Sequence, residues 1–467
     1  MNVISSLFTK KQTLSLLCIY ALIRIVSFVA TPYPIVETLC AGFLICLFLF
    51  LAIRKPQFLS YLVLGEFFLH GAGHFFEFFG ISLRTIFLCL TILTFFLSPH
   101  LLRHQVLLSF SRLPFYSFLL FSFCLFIAAG IGYANGHGLH VIIQDMLPYV
   151  FFLFYIPFCV WKKDTTFQDY IIRLTTAFII GTTLFSLITF FIYATGVGTI
   201  QDGYYHWFRD VAMGKITDMG SDFYRIVLPE HIVFVPLLLV FASLFITNTR
   251  KYAKYMFVYT CILLVLAMNL SRTFYLALIP GFFTLLFFYR SLWKQWLIVG
   301  IVTVIGIGSL FTLLHLSTSH FTSPGWDLLG IRLSSIARPE KETSTSIRMM
   351  LIPDILHAIK KHPIVGTGLG SSLSFIHPIT KQPQVTTNFD WGYLELWTKL
   401  GFFGLLFYLL LLGSILRMIY VSDQLLTPAL FAGGIAFLVM GIFGPALFHV
   451  FGIVYFTFTL AQTKNPL

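Results

Sequence analysis

The sequence predicts an all-α fold, a polytopic transmembrane helical bundle, and three observations carry that prediction. Of 467 residues, 58% are hydrophobic and only 10% are charged, against roughly 25% charged in soluble domains. Apolar runs long enough to cross a bilayer recur along most of the chain. The alternating ten-residue strands of a transmembrane barrel are missing. A soluble enzyme is therefore excluded, and a single membrane domain over 1–467 is expected. The formal charge of +12 sits in short clusters between apolar runs, and the 55 phenylalanines suit packing against lipid and between helices. Nucleic acid is thus not an expected partner.

About fourteen apolar segments follow in order: 13–31, 35–53, 58–79, 84–98, 114–133, 143–161, 170–194, 229–247, 253–270, 274–289, 295–315, 402–420, 427–444 and 447–463. The last two can form one re-entrant hairpin, so twelve to fourteen helices are expected. Lys10 and Lys11 ahead of the first run imitate a secretory leader. The run from Leu14 to Ala30 is longer than a leader's apolar core and lacks a small-x-small cleavage site, so it reads as the first membrane helix. Cys18, Cys40, Cys46, Cys89, Cys124, Cys159 and Cys261 all lie in apolar runs, and none forms a CxxC. They read as small buried hydrophobes rather than disulfides or zinc ligands.

The basic residues set the orientation. Alternate connections carry Lys10/Lys11, Arg54/Lys55, Arg103/Arg112, Lys162/Lys163, Arg250/Lys251/Lys254, Arg290/Lys294, Arg417 and Lys464, while the short connections between them carry none. Both termini are therefore expected in the cytoplasm. On the opposite side lie two long connections, about 197–228 and 316–395. Their arginines (Arg209, Arg225, Arg332, Arg338, Arg348) do not oppose this orientation, because long loops escape the charge rule. Connections of this length are commonly functional. In the second, Ser344 or Thr345 can cap a helix that runs to about Lys361 and stops at His362-Pro363.

The same side holds the residues that can do chemistry. Arg225, Arg272 and Arg348 stand at membrane–water boundaries, where three guanidinium forks could converge on a phosphate. The alternative for each is snorkelling or capping a helix end. In His362-Pro-Ile-Val-Gly366-Thr-Gly368-Leu-Gly370 the alternating glycines allow backbone amides to cradle an anion, or form an ordinary turn. Asp390 precedes a membrane helix and can accept a proton from a sugar hydroxyl. It equally has capping-box spacing with Thr387.

Two further sets of ionisable residues lie in apolar surroundings. Glu66, His70, His74 and Glu77 would share one face of a helix through 58–79. Such groups within a membrane face the protein interior and mark function. Interhelical hydrogen bonding or acceptor binding is favoured there over metal binding. Asp145, shortly before Pro148, is a further embedded carboxylate or a helix cap. No internal repeat is visible, which disfavours a transporter built from duplicated halves.

Leu270-Ser-Arg-Thr-Phe, then Arg348 ahead of His362-Pro-Ile-Val-Gly-Thr-Gly-Leu-Gly, then Asp390-Trp-Gly-Tyr-Leu-Glu-Leu-Trp-Thr-Lys-Leu-Gly-Phe-Phe-Gly resemble the O-antigen ligase and polymerase superfamily over about 270–405. These are bacterial inner-membrane glycosyltransferases of the GT-C type, which move glycan from undecaprenyl diphosphate on the periplasmic face. The resemblance implies that Arg348 handles the lipid diphosphate, with Arg272 and Arg225 beside it. Asp390 is implied to orient or deprotonate the acceptor hydroxyl. His362, Gly366, Gly368, Gly370 and Tyr393 are the implied substrate-binding residues. The ligase pattern has a His-Asn pair where this chain has Asp390-Trp391, which favours a polymerase of O-antigen or exopolysaccharide over a ligase to lipid A-core or protein. A transporter without chemistry is the remaining alternative. The expected partners are the lipid-linked glycan, an acceptor glycan, the bilayer and a chain-length regulator. No cofactor or metal is called for, since a diphosphate is already a good leaving group.

Overall fold

A computed structural model describes residues 10–71, 73–97, 112–220, 223–319, 323–328, 330–331, 343–376 and 381–463. Arg103, Arg332, Arg338 and Lys464 lie outside the described residues. The helices in chain order are α1 (Lys10–Ala30), α2 (Pro34–Arg54), α3 (Leu59–Leu69), α4 (Leu83–Leu97), α5 (Arg112–Ala134), α6 (Leu139–Val150), α7 (Tyr155–Trp161), α8 (Thr165–Ala194) and α9 (Gly203–Asp210). There follow α10 (Phe234–Tyr252), α11 (Met256–Asn269), α12 (Arg272–Phe288), α13 (Trp293–Thr318), α14 (Thr343–Lys361), α15 (Gly392–Val421), α16 (Thr427–Met440) and α17 (Val450–Gln462). Among the described residues, three antiparallel strand pairs accompany them: β1 (Glu77–Phe78) with β2 (Ile81–Ser82), β3 (Lys215–Asp218) with β4 (Tyr224–Val227), and β5 (Leu373–Ile376) with β6 (Pro383–Thr386).

The chain is an all-α polytopic membrane protein. Among the described residues, eight stretches are long and apolar enough to cross a bilayer, one of which, Pro229–Asn269, contains both α10 and α11. Each of the fourteen expected apolar segments contains helix. Local chemistry starts several of them. Pro34 opens α2, where its missing N–H costs nothing. Asp164 caps α8 by accepting from the Thr166 amide at 2.8 Å, and Asp202 caps α9 through the Tyr205 amide at 2.6 Å. Both long connections contain ordered structure, α9 with β3–β4 in the first and α14 with β5–β6 in the second. The helix α14 already includes Ser344 and Thr345, so neither precedes its first turn.

Two expectations fail. The segment 58–79 is not one helix, because α3 stops at Leu69. At 11 residues it rises about 16 Å, too little to cross alone. Gly71 and Gly73 adopt left-handed φ of 64° and 93°, and the chain turns around Arg84, whose guanidinium donates to Glu66 and to the Gly71 carbonyl. Glu66, His70, His74 and Glu77 therefore share no helix face. Second, Cys18, Cys46 and Cys89 are exposed on helix flanks, while Cys159 and Cys261 are buried.

The chain forms two compact units. One contains 1–106, 156–271 and 294–328, with α8 at its centre packed by α1, α3 and α11. The other contains 107–155, 272–293 and 329–467. There α15 is central, with α5, α14, α16 and α17 against it, and α12 packs on α16.

Candidate functional site

In the second unit the site is built on the junction of α14, β5–β6 and the start of α15. Leu351, Ile355 and Ile359 repeat every fourth residue and form one buried face of α14, with Ile347 beginning the stripe. This face packs on Phe389, Leu373, Phe375, Trp391, Leu394 and Trp397. Arg348 follows Ile347, so it leaves the helix at the edge of that stripe. Its Nε donates to Asp390 Oδ2 at 3.2 Å, and its carbonyl accepts from Trp391 Nε1 at 2.9 Å. The side chains of Arg348 and Asp390 are 29% and 43% exposed. Among the described residues, the two terminal nitrogens of Arg348 have no hydrogen-bond partner.

Asp390 itself is held in an unusual conformation. Its φ is 58°, in the left-handed region that few non-glycine residues occupy. The helix α15 begins after Trp391 without a side-chain cap. The capping box of Thr387 and Asp390 is thus not formed; Glu395 Oε2 accepts from the Phe389 amide at 2.9 Å instead.

The glycine run does not present an anion nest. The amides of Gly366, Thr367, Gly368, Leu369 and Gly370 donate to His362 O, Thr398 O, Lys399 O, Ala128 O and Asp145 Oδ2 respectively. All five are consumed within the protein, so Gly366, Gly368 and Gly370 cannot bind substrate through these amides in this conformation. Their reason is backbone proximity: a Cβ at Gly368 would overlap Gly132 of α5, and one at Gly366 would overlap Gly401 and Lys399. Gly401, at φ 73°, interrupts α15. That break frees the Thr398 and Lys399 carbonyls for the turn and lets Phe402 N donate to Pro363 O. The expected membrane segment starting at 402 is therefore only the second part of a longer broken helix.

This docking gives a direct test on α5. A methyl at Gly132 would meet the Leu369 carbonyl, whereas Gly130 faces open space. Gly132→Ala should destabilise the protein by about 1–3 kcal/mol through overpacking. Gly130→Ala should be neutral or slightly stabilising from helix propensity. Thermal unfolding of both variants in detergent checks the contrast.

Lys399 is the residue the sequence reading missed. It is 8% exposed and donates to Asp145 Oδ1 at 3.0 Å, Glu395 Oε1 at 2.8 Å and Thr387 O at 2.8 Å. The available signal was a Glu–Lys pair at i,i+4 inside an apolar stretch. Asp145 is thus an ion-pair partner rather than a helix cap. Tyr393 donates its hydroxyl proton to Leu438 O at 2.7 Å, tying α15 to α16. His362 is half-buried and closes α14 through its amide on Ala358 O. Arg272 is the half-buried first residue of α12 in this unit.

Arg225 belongs to the other unit. It sits on β4 opposite Thr217, and its Nε donates to Asn269 O at the C-terminal end of α11 at 2.5 Å. A cation there also complements the helix dipole. The same unit buries a set of charges that sequence spacing did not assemble. Arg24 donates to Glu230 Oε1 and to Leu69 O, both at 2.9 Å, and lies 3.6 Å over the Tyr20 ring. Arg84 pairs with Glu66, and His231 is bonded by Asn269 and Ser186. On α9, burial pushes the Tyr204 phenol up to about 12, and its hydroxyl shares a hydrogen bond with the Thr189 hydroxyl at 2.6 Å.

Residues 256–409 match the model of a family described as O-antigen ligase. No curated protein and no solved structure matches the chain. The matched stretch includes Arg272, Arg348, His362, the three glycines, Asp390, Tyr393 and Lys399. Arg225 and Asp145 fall outside it.

Proposed function

We propose, from the match of residues 256–409 to a family described as O-antigen ligase, that the chain is a surface-polysaccharide polymerase. In this reading it transfers glycan from undecaprenyl diphosphate to an acceptor sugar hydroxyl. The observation that carries it is the pairing of Arg348 with Asp390 at an accessible loop beside a membrane helix, a cation for the diphosphate next to a carboxylate for the hydroxyl. The acceptor oxygen attacks the anomeric carbon as the bond from that carbon to the diphosphate oxygen breaks. The electron pair leaves on the diphosphate, where the fork of Arg348 stabilises it. The hydroxyl proton passes to Asp390, and Arg272, in the same unit, contributes further positive charge.

The alternation of basic residues supports an inner-membrane protein with cytoplasmic termini and a periplasmic site on the connection 316–395. A chain-length regulator is a further proposed partner. The description of the matched family favours a second reading, a ligase that hands finished glycan to lipid A-core or protein. A gel of surface polysaccharide from a strain lacking the protein separates the two. A polymerase leaves single repeats on lipid A-core; a ligase leaves polymer stranded on the carrier; an unchanged profile counts against both. Asp390→Asn, which keeps the shape but not the base, should lower turnover by about 10²–10⁴-fold. Incorporation of labelled donor by membranes carrying the variant measures it.

A further inference from the structure

We infer that Lys399 and Glu395 are positioning residues that set Asp390 for the transfer step. This rests on the role proposed for Asp390. Every residue around Asp390 is tied to something rigid. Thr387 is held through its carbonyl by Lys399 Nζ at 2.8 Å, and Phe389 through its amide by Glu395 Oε2 at 2.9 Å. The Phe389 ring is fully buried, and Trp391 Nε1 donates to the backbone of Arg348 at 2.9 Å. Asn388 Oδ1 accepts the Asp390 amide at 3.3 Å. Asp390, at φ 58°, is the exposed link between these anchors. A left-handed aspartate persists only where its surroundings over-determine it.

The anchor is built as a node. The ammonium of Lys399 has three N–H donors and three acceptors at 2.8–3.0 Å, one each from α6, the Thr387 loop and α15. Glu395 uses one oxygen for Lys399 and the other for the loop; Asp145 uses one for Lys399 and the other for the Gly370 amide. The pair is 8% and 4% exposed, so it touches no bulk substrate and acts through the loop it holds. The backbone of the same lysine accepts from Gly368. The glycine turn, α6 and the Asp390 loop are thereby fixed to one point on α15.

Glu395→Gln is the selective probe. It removes a buried charge yet keeps side-chain shape, and one of its two contacts becomes a donor facing a donor. With the lipid-linked repeat extracted from a strain lacking the protein as donor, kcat should fall about 10–10²-fold, the scale of misplacing a reacting group. KM for that donor should stay within about twofold, because Arg348 is untouched. In an Asp390→Asn background the same substitution should change kcat no further, as expected for residues acting as a unit.

Because unpaired charges can unfold the protein, the neutral triple variant Lys399→Met, Glu395→Gln, Asp145→Asn is measured beside it. It should insert and melt near the wild type yet turn over as poorly as Glu395→Gln. Wild-type turnover in either variant, or an effect of Glu395→Gln that adds in full to that of Asp390→Asn, overturns the positioning role. Wild-type turnover in Asp390→Asn alone instead overturns the role of Asp390 on which it rests.

Discussion

Arg348→Ala should abolish visible glycan transfer, with turnover down about 10²–10³-fold, the usual loss on deleting one donor to a developing oxyanion. The effect should be catalytic and not structural. The side chain is 29% exposed, and its ion pair with the 43% exposed Asp390 contributes little to stability at such a surface. The bond from Trp391 runs to the backbone of Arg348 and survives the substitution. Arg348→Lys should recover only part of the activity, since an ammonium cannot present the planar fork to two phosphate oxygens. Chain-length profiles in a deletion strain, read against membrane levels of each variant, make the comparison. Full-length chains from Arg348→Ala at matched protein would remove this arginine from the mechanism.

What could be read from the sequence follows the range of the interactions concerned. Fourteen apolar segments and the helix that ends near Lys361 are local patterns, and the structure has helix in each. The stop of α3 is set by Arg84, 18 residues beyond Glu66, and by glycine geometry; hydropathy sees neither. The glycine run was legible as a place of close approach. What approaches it is the backbone of α5, more than two hundred residues earlier, so spacing alone could not separate a helix-docking turn from an anion cradle. The segment 392–400 reads as polar because of Glu395 and Lys399, which postponed the expected helix to 402. In the fold Lys399 pairs with Glu395 and also with Asp145, a partner 254 residues away. Arg348 and Asp390 were each placed at a boundary by sequence, but their pairing across 42 residues needed the α14 packing.

The largest stability effect is expected in the first unit, at Arg24. It is 4% exposed and its partner Glu230 is 1% exposed, so each charge depends on the other. Arg24→Met would leave the Glu230 carboxylate buried without its cation and the Leu69 carbonyl without its donor. Breaking one side of a buried pair costs about 3–5 kcal/mol, a large part of the margin by which a protein is folded. Glu230→Gln in the same protein should recover much of that loss, because methionine and glutamine fill similar volume without a buried net charge. The lost stacking of Arg24 over the Tyr20 ring at 3.6 Å would remain. Melting temperatures of the two single variants and the double variant in one detergent give the coupling directly. A strongly lowered melt for Arg24→Met that Glu230→Gln relieves is the expected result; equal melting temperatures for wild type and Arg24→Met would show that water reaches Glu230 and that this unit is less tightly closed around its charges.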